Sequence, residues 1–226
     1  IYLGAGNKNS HCRDILIKDV TCDNNTRNAL SVISVDGLIV DNCVFKNSSG
    51  KKPCAGIDFE PNKFVQCLNN ILVKNCTVSG NAGYAVVIQP VTFRNNTNNG
   101  PLKTIDISFD NVLVKDGQGV YVAYFSDKGP GGSIKFKNMR IENTTFGTWI
   151  GKSSKVLALT FENCIWKNIA QSDYPIKIFS NGENTDFPGG IQFTACQVFD
   201  DKDRPAIRFL KYAPVKNVIT DVNGSL

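Results

Sequence analysis

Two carboxylates placed two residues apart are the clearest candidates for catalysis in this chain of 226 residues. Asp58 and Glu60 lie in an alternating segment, and a β-strand would project both side chains from one face, with Cα atoms about 6.5–7 Å apart. Hydrolysis of a glycosidic bond needs such a pair, one as the acid and the other as base or nucleophile. The nearby like charge would raise the pKa of one carboxyl, and Arg27, from the preceding turn, would tune one of them. Two solvated acids on an exposed strand are the alternative interpretation.

Further side chains suited to ligand binding recur at equivalent positions in later segments. Tyr121 and Trp149 would provide flat platforms for sugar rings, about 10–14 Å from Asp58. Lys177 and Arg208 would bind uronate or sulfate groups, or would serve a lyase that removes a proton next to a neutralised carboxylate. Aromatic residues that only cover a sheet, and charges that only aid solubility, are the alternatives. The predicted substrate-binding residues are Arg27, Gln89, Tyr121, Tyr124, Trp149, Lys177 and Arg208.

An internal repeat determines where these side chains lie. Alternating apolar residues, then a polar pair, then one inward residue recur eight times, beginning at residues 15–20 and ending with a weaker copy at 215–218. The copies are 22 to 36 residues apart, which suits one turn of a three-sided coil with loops of variable length. Successive coils would pair through parallel strands about 4.8 Å apart. A β-propeller or β-sandwich is the alternative fold.

Stacked polar residues mark two turns of each predicted coil. Asparagine suits these turns because it tolerates the left-handed conformation and can bond its stacked neighbour. The first predicted ladder contains Asp19, Asn42, Asn75, Asn111, Asn138 and Asn163. The second contains Asn24, Asn47, Asp116, Asn143, Asn168 and Asp200.

Four of the eight cysteines fall in one inward column of the repeat. Stacked Cβ atoms would be about 4.8 Å apart, whereas a disulfide prefers about 3.8 Å. We therefore predict buried thiols for the pairs Cys43/Cys76 and Cys164/Cys196. The remaining cysteines could form bridges, with Cys22 to Cys54 as the favoured pairing; they are Cys12, Cys22, Cys54 and Cys67.

Composition excludes several functional classes. The net charge of +5 is mild and its basic residues are scattered, so nucleic-acid binding is not predicted. No apolar run reaches the roughly 18–20 residues that a membrane span needs. Eight cysteines and six Asn-X-Ser/Thr sequons favour a secreted glycoprotein. Residues 1–226 are predicted to form one domain, and because residues 1–4 resemble a strand in mid-coil, we expect it to lack N-terminal coils.

The repeat and its Asn-Cys ladders resemble the right-handed parallel β-helix superfamily, the pectate-lyase-like group. The fold class that this resemblance implies is all-β, a right-handed parallel β-helix (solenoid) of about eight coils. The superfamily implies polysaccharide lyases, glycoside hydrolases, epimerases and non-catalytic fibres. The motifs of polygalacturonases and alginate epimerases, and the acidic calcium cluster of pectate lyases, are not found in the sequence. No cofactor and no metal site is therefore predicted, with calcium left open.

The sequence thus predicts a secreted, carbohydrate-active β-helix protein whose partner is a polysaccharide or other glycan. The favoured activity is glycoside hydrolysis by Asp58 and Glu60 in a groove on the parallel sheet, walled by the long loops 61–70, 90–103, 124–133 and 180–190. One alternative is a polysaccharide lyase that uses Lys177 and Arg208 on a uronate-containing glycan. The other is a non-catalytic glycan-binding or structural domain, such as an adhesin or fibre.

Overall fold

The computed structural model describes residues 1–4, 11–93, 102–123, 129–151, 156–170, 174–179, 190–210 and 218–225. Within these ranges the chain forms short β-strands and a single 3₁₀ turn, Val91–Phe93. In chain order the strands are β1 (Tyr2–Leu3), β2 (Cys12–Lys18), β3 (Thr21–Asp23), β4 (Leu30–Val32), β5 (Val35–Asp41), β6 (Val44–Lys46), β7 (Ile57–Phe59), β8 (Leu68–Lys74), β9 (Thr77–Ser79), β10 (Tyr84–Ile88), β11 (Thr104–Asp110), β12 (Leu113–Lys115), β13 (Gln118–Val122), β14 (Gly131–Lys137), β15 (Arg140–Glu142), β16 (Thr148–Ile150), β17 (Leu157–Glu162), β18 (Ile165–Lys167), β19 (Ile176–Phe179), β20 (Ile191–Phe199), β21 (Ile207–Leu210) and β22 (Val218–Ser225).

As far as β20, every third strand lies in the same stack, so that the chain winds around a three-sided coil. The first stack has the order β1-β4-β7-β10-β13-β16-β19-β21. The second runs from β2 through β5, β8, β11, β14 and β17 to β20, which also pairs with β22. The third runs from β3 to β18 and ends on the second half of β20, which joins the two stacks. All strand pairs in the described ranges are parallel. The predicted parallel β-helix is thus confirmed, and its first stack contains eight strands.

A ladder of aromatic rings fills the interior behind the second stack. Phe109, Phe136, Phe161 and Phe193 are each at most 1% exposed, and adjacent rings are stacked with centroids 4.8–4.9 Å apart. Identical spacing of rings and strands follows from strict register, because a slip of one residue would turn these rings to solvent. Burial of each phenyl ring stabilises the coil by about 1.5–3 kcal/mol.

The predicted polar ladders adopt the left-handed backbone conformation. All six members of the first ladder have φ between 52° and 56°. Asn42 donates its amide to Asp19, and Asn111 donates to Asn75. In the second ladder five predicted members have φ of 53–56°, whereas the carboxylate of the sixth, Asp200, pairs with Arg204.

None of the eight cysteines, all within the described ranges, forms a disulfide. The four stacked cysteines are buried as predicted, and the Cys43 thiol donates to the Ile17 carbonyl oxygen at 3.6 Å. The predicted Cys22–Cys54 bridge is wrong. Cys22 lies on β3 in the third stack, while Cys54 precedes β7 of the first stack and donates its thiol to the Lys51 carbonyl oxygen at 3.0 Å.

Candidate functional site

The first stack aligns the predicted site residues in one column. Register pairs Asp58 with Ser31 on one side and with Val87 on the other. At about 4.8 Å per coil, Trp149 lies about 14 Å along the column from Asp58. The column runs Tyr2, Ser31, Asp58, Val87, Tyr121, Trp149, Lys177 and Arg208. The predicted vertical alignment is therefore confirmed.

The exposure of this column differs from the prediction at Asp58. That side chain is only 2% exposed, and Val87 is 3% exposed, although the sequence indicated an open sheet face. Segments 50–54 and 82–84 stand beside Asp58 and contribute residues to the same cleft. The acid is therefore a buried group at the bottom of a cleft and not a solvated one.

The Asp58 carboxyl has two unequal oxygens. Oδ2 accepts a hydrogen bond of 2.8 Å from the Asn28 side-chain amide. Oδ1 is buried and has no hydrogen-bond partner among the residues that the structure describes. Burial raises the pKa of Asp58 from 3.8 to about 6, with a smaller contribution from the charge of Glu60, whereas Arg27 and the Asn28 hydrogen bond lower it. Desolvation thus makes Asp58 an acid that is still protonated in mildly acidic solution.

Glu60 occupies a different environment in the same cleft. Its side chain is 38% exposed, and its Oε2 lies 3.9 Å from Nη2 of Arg27. Asp58 and Glu60 therefore place a buried carboxyl group and a partly exposed one two residues apart in the same cleft.

The cleft around these carboxylates has a volume of about 690 Å³. Arg27 and Gln89, both predicted from the sequence, contribute to its walls. Sequence reasoning missed several others, because they lie in turns and in the first residues of β10 and β13, outside the four-residue strand copies of the repeat. The missed lining residues are Gly50, Lys52, Pro53, Cys54, Ala82, Gly83, Tyr84 and Gln118.

An aromatic strip extends the cleft along the stack; it consists of Tyr84, Tyr121, Phe146 and Trp149. Tyr84 lines the cleft and stacks on Tyr121 with ring centroids 5.1 Å apart and an interplanar angle of 21°. Phe146 meets Trp149 edge to face at 4.9 Å. All four side chains are half-buried, and Tyr84 connects the strip to the cleft that contains the carboxylates. Tyr84 and Phe146 were missed because each precedes the strand residues that the sequence repeat marks in its coil.

The two predicted cations lie beyond the strip. Nζ of Lys177 is 4.3 Å from the Trp149 ring centroid, and the Arg208 guanidinium is 5.6 Å from that of Tyr174. Neither lines the cleft that contains Asp58. Four coils separate Lys177 from Asp58, a distance of about 19 Å at the sheet spacing. Tyr124, the remaining predicted residue, lies outside the described residues.

Two general properties of the described ranges bear on function. Nowhere in them do three or more His, Cys, Asp or Glu side chains come together in a group that would hold a metal ion. They also contain no helix with the length and hydropathy required to cross a bilayer.

Comparison with known proteins adds one finding. A family model described as a right-handed beta helix region matches residues 4–198. No curated protein and no solved structure matches the chain. The matched range includes the cleft, the aromatic strip and all but the last coils.

Proposed function

The chain belongs to the right-handed β-helix family, and on that basis we propose that it is a glycoside hydrolase that cleaves a polysaccharide bound along its first stack. One observation carries this proposal. Asp58, whose pKa is raised to about 6, shares a cleft with the exposed carboxylate of Glu60. Two carboxyl groups in contrasting environments are what an acid and a base of glycoside hydrolysis require.

The proposed reaction assigns one role to each carboxyl. Asp58 gives its proton to the glycosidic oxygen as the bond to the anomeric carbon breaks. Glu60 takes a proton from a water molecule, whose oxygen forms the new bond to that carbon. Glu60 directly follows β7, and extended backbone sets Cα atoms two residues apart at about 6.5–7 Å. A base that acts through water gives inversion at the anomeric carbon, which we propose; it requires about 6.5–9.5 Å between the two carboxyl groups.

The aromatic strip supplies the binding surface in this proposal. Stacked aromatic faces suit the apolar faces of sugar rings, and the half-buried rings of Tyr121 and Trp149 are held by their neighbours before any ligand arrives. A rigid platform lowers the entropic cost of binding. We propose an extracellular location for the protein, an extended glycan as its substrate, and a reaction that needs no cofactor.

A panel of polysaccharides, assayed for release of reducing ends, tests the proposal. Asp58→Asn and Glu60→Gln are each expected to abolish release from the responsive substrate while the circular dichroism spectrum is unchanged. Asp41→Asn is the matched control, since Asp41 ends β5 in the second stack and pairs with Lys74; it should retain full activity. Full activity in both cleft variants would refute the assignment.

A non-catalytic glycan-binding domain is the second candidate, favoured by the 2% exposure of Asp58. It predicts retention on an immobilised glycan without release of reducing ends, and retention that is lost in Tyr121→Ala. The same panel addresses a lyase, which would generate an unsaturated product that absorbs in the ultraviolet. That absorbance should then depend on Lys177, four coils from the cleft carboxylates.

A further inference from the structure

We propose that Asn28 is a positioning residue that fixes the acidic proton of Asp58 on Oδ1. Asn28 lies in the turn before β4 and was not among the residues predicted from the sequence. This inference rests on the proposed function for its catalytic consequence only. The arrangement of the proton itself follows from the hydrogen bonds around the two side chains.

Three hydrogen bonds occupy the Asn28 side chain. Its Oδ1 accepts from the backbone N–H of Ala55 at 3.0 Å. Its Nδ2 donates to Ser31 Oγ at 3.0 Å and to Asp58 Oδ2 at 2.8 Å. The amide thereby joins its own turn and β4 to two points of the next coil, the approach to β7 and β7 itself.

The backbone of Ala55 determines which way this amide faces. An N–H group can only donate, so the atom of Asn28 that faces it must be the oxygen. The NH₂ group is then forced toward Ser31 and Asp58, and a flipped amide would set two donors against each other at Ala55. The orientation of the Asn28 amide is thus fixed by the backbone N–H of Ala55, which can only donate.

This arrangement makes the two carboxyl oxygens of Asp58 unequal. Oδ2 accepts a hydrogen bond from the N–H of Asn28. A proton on Oδ2 would therefore compete with that N–H for the lone pairs of the same oxygen atom. The proton of neutral Asp58 therefore resides on Oδ1, the oxygen that has no partner within the described ranges. An O–H group on Oδ1 is a buried donor without an acceptor in the described ranges, and a glycosidic oxygen that reached it would satisfy that donor.

Other groups in the cleft also act on this titration. Glu60 disfavours the ionised form of Asp58 and Arg27 favours it. From the surrounding segments, the titratable or charged cleft residues are Lys52, Cys54 and Tyr84. In the register, the neighbouring strands place Ser31 and Val87 beside Asp58, and neither carries a charge. The effect of Asn28 is therefore measured by changing Asn28 alone, with all of these groups retained.

Carbon-13 NMR titration of the Asp58 carboxyl in the unliganded protein tests the hydrogen bond from Asn28 on which the inference depends. Loss of the charge-stabilising hydrogen bond in Asn28→Ala should raise the pKa of Asp58 by about one pH unit. Ser31→Ala is the matched control, because it removes the other acceptor of the same NH₂ group and should leave the Asp58 titration in place. An unchanged titration in Asn28→Ala would overturn the inference.

A second variant keeps the test open if Asn28→Ala does not fold. Asn28→Asp retains an acceptor for the N–H of Ala55 and replaces the donor by a carboxylate that faces Asp58. Repulsion between the two acids should raise the Asp58 pKa further than the alanine variant does. A titration equal to that of the wild type would again contradict the inference.

Activity separates this inference from the proposed function. If the wild type hydrolyses a glycan, Asn28→Ala should lower kcat at least tenfold and move the alkaline limb of the rate profile upward, with KM little changed. A shifted titration without turnover on any glycan would support the role of Asn28 in placing the proton and refute hydrolysis. Turnover of a glycan together with an unshifted titration would support hydrolysis and refute the role of Asn28.

Discussion

Replacement of the proposed acid should make the protein more stable relative to wild type, by an amount that grows as pH rises from about 4 to about 6 and is then retained. The pKa of Asp58 is about 6 in the folded chain, whereas an aspartate that is not buried has a pKa of 3.8. Between these values the folded state holds a proton that the unfolded state releases, so the free energy of unfolding falls as pH rises. Asp58→Asn removes the titrating group, and its neutral side chain can still accept the Asn28 hydrogen bond.

The expected size follows from the two pKa values. One pKa unit corresponds to about 1.4 kcal/mol, so ionisation of Asp58 costs the folded state about 3 kcal/mol once pH exceeds both values. At pH 4 the same term is only about 0.5 kcal/mol. The stability difference between Asp58→Asn and wild type should therefore grow by about 2.5 kcal/mol between pH 4 and pH 8.

Urea unfolding at both pH values measures this growth. Two tryptophans report the transition, Trp149 in the aromatic strip and Trp166 in the core. Asp41→Asn is the control with the opposite sign, because a hydrogen bond from Asn75 lowers the pKa of Asp41. That variant's stability difference from wild type should change mainly below pH 4, where the lowered pKa lies, and little between pH 4 and pH 8.

A constant difference between Asp58→Asn and wild type at the two pH values would refute the reasoning. It would mean that Asp58 titrates alike in the folded and unfolded chains. Any cost of burying the new amide nitrogen is the same at pH 4 and pH 8, so it cannot imitate the predicted growth. A null result would also remove Asp58 as the acid of the proposed hydrolysis.

Three further outcomes are expected from the same structure. Hydrolysis should decline as pH rises through about 6, since Asp58 must be protonated; a rate profile that stays flat to pH 8 would contradict this. Trp149→Ala should raise KM several-fold more than it lowers kcat, because the ring lies about 14 Å from Asp58; steady-state kinetics would show the reverse if Trp149 took part in the chemistry. Gly119→Ala should not fold, because a Cβ there would lie 1.8 Å from the Gly147 carbonyl oxygen; a soluble variant with wild-type circular dichroism would disprove this packing.

The strand register was predictable because it depends on periodicity alone. Period-2 alternation fixes which side chains share a face, and a one-residue slip would reverse them all. The repeat therefore aligned Asp58, Tyr121 and Trp149 correctly from the sequence. The left-handed turns at Asn42 and Asn138 were equally accessible, since few residues other than glycine and asparagine tolerate them.

The environment of Asp58 was not predictable by the same reasoning. Whether an outward side chain is exposed depends on what covers it, and segments 50–54 and 82–84 follow no strand period. Tyr84 and Asn28 lie just before the strand residues that recur from coil to coil, so no repeating position marked them. Desolvation, the main cause of the raised Asp58 pKa, was thus invisible, and only the smaller effect of Glu60 could be anticipated.

Strand β7 shows how one short element serves stability and the proposed chemistry at once. Its first and last residues, Ile57 and Phe59, are fully buried in the core. The ring of Phe59 packs edge to face on that of Phe109, with ring centroids 6.0 Å apart. Asp58, between them, points the opposite way into the cleft, because alternate residues of a strand face opposite sides. The apolar contacts of Phe59 offset the cost of burying Asp58, and they do not depend on its protonation. A change at Asp58 should therefore alter pH-dependent stability and activity while the coil around it keeps its register.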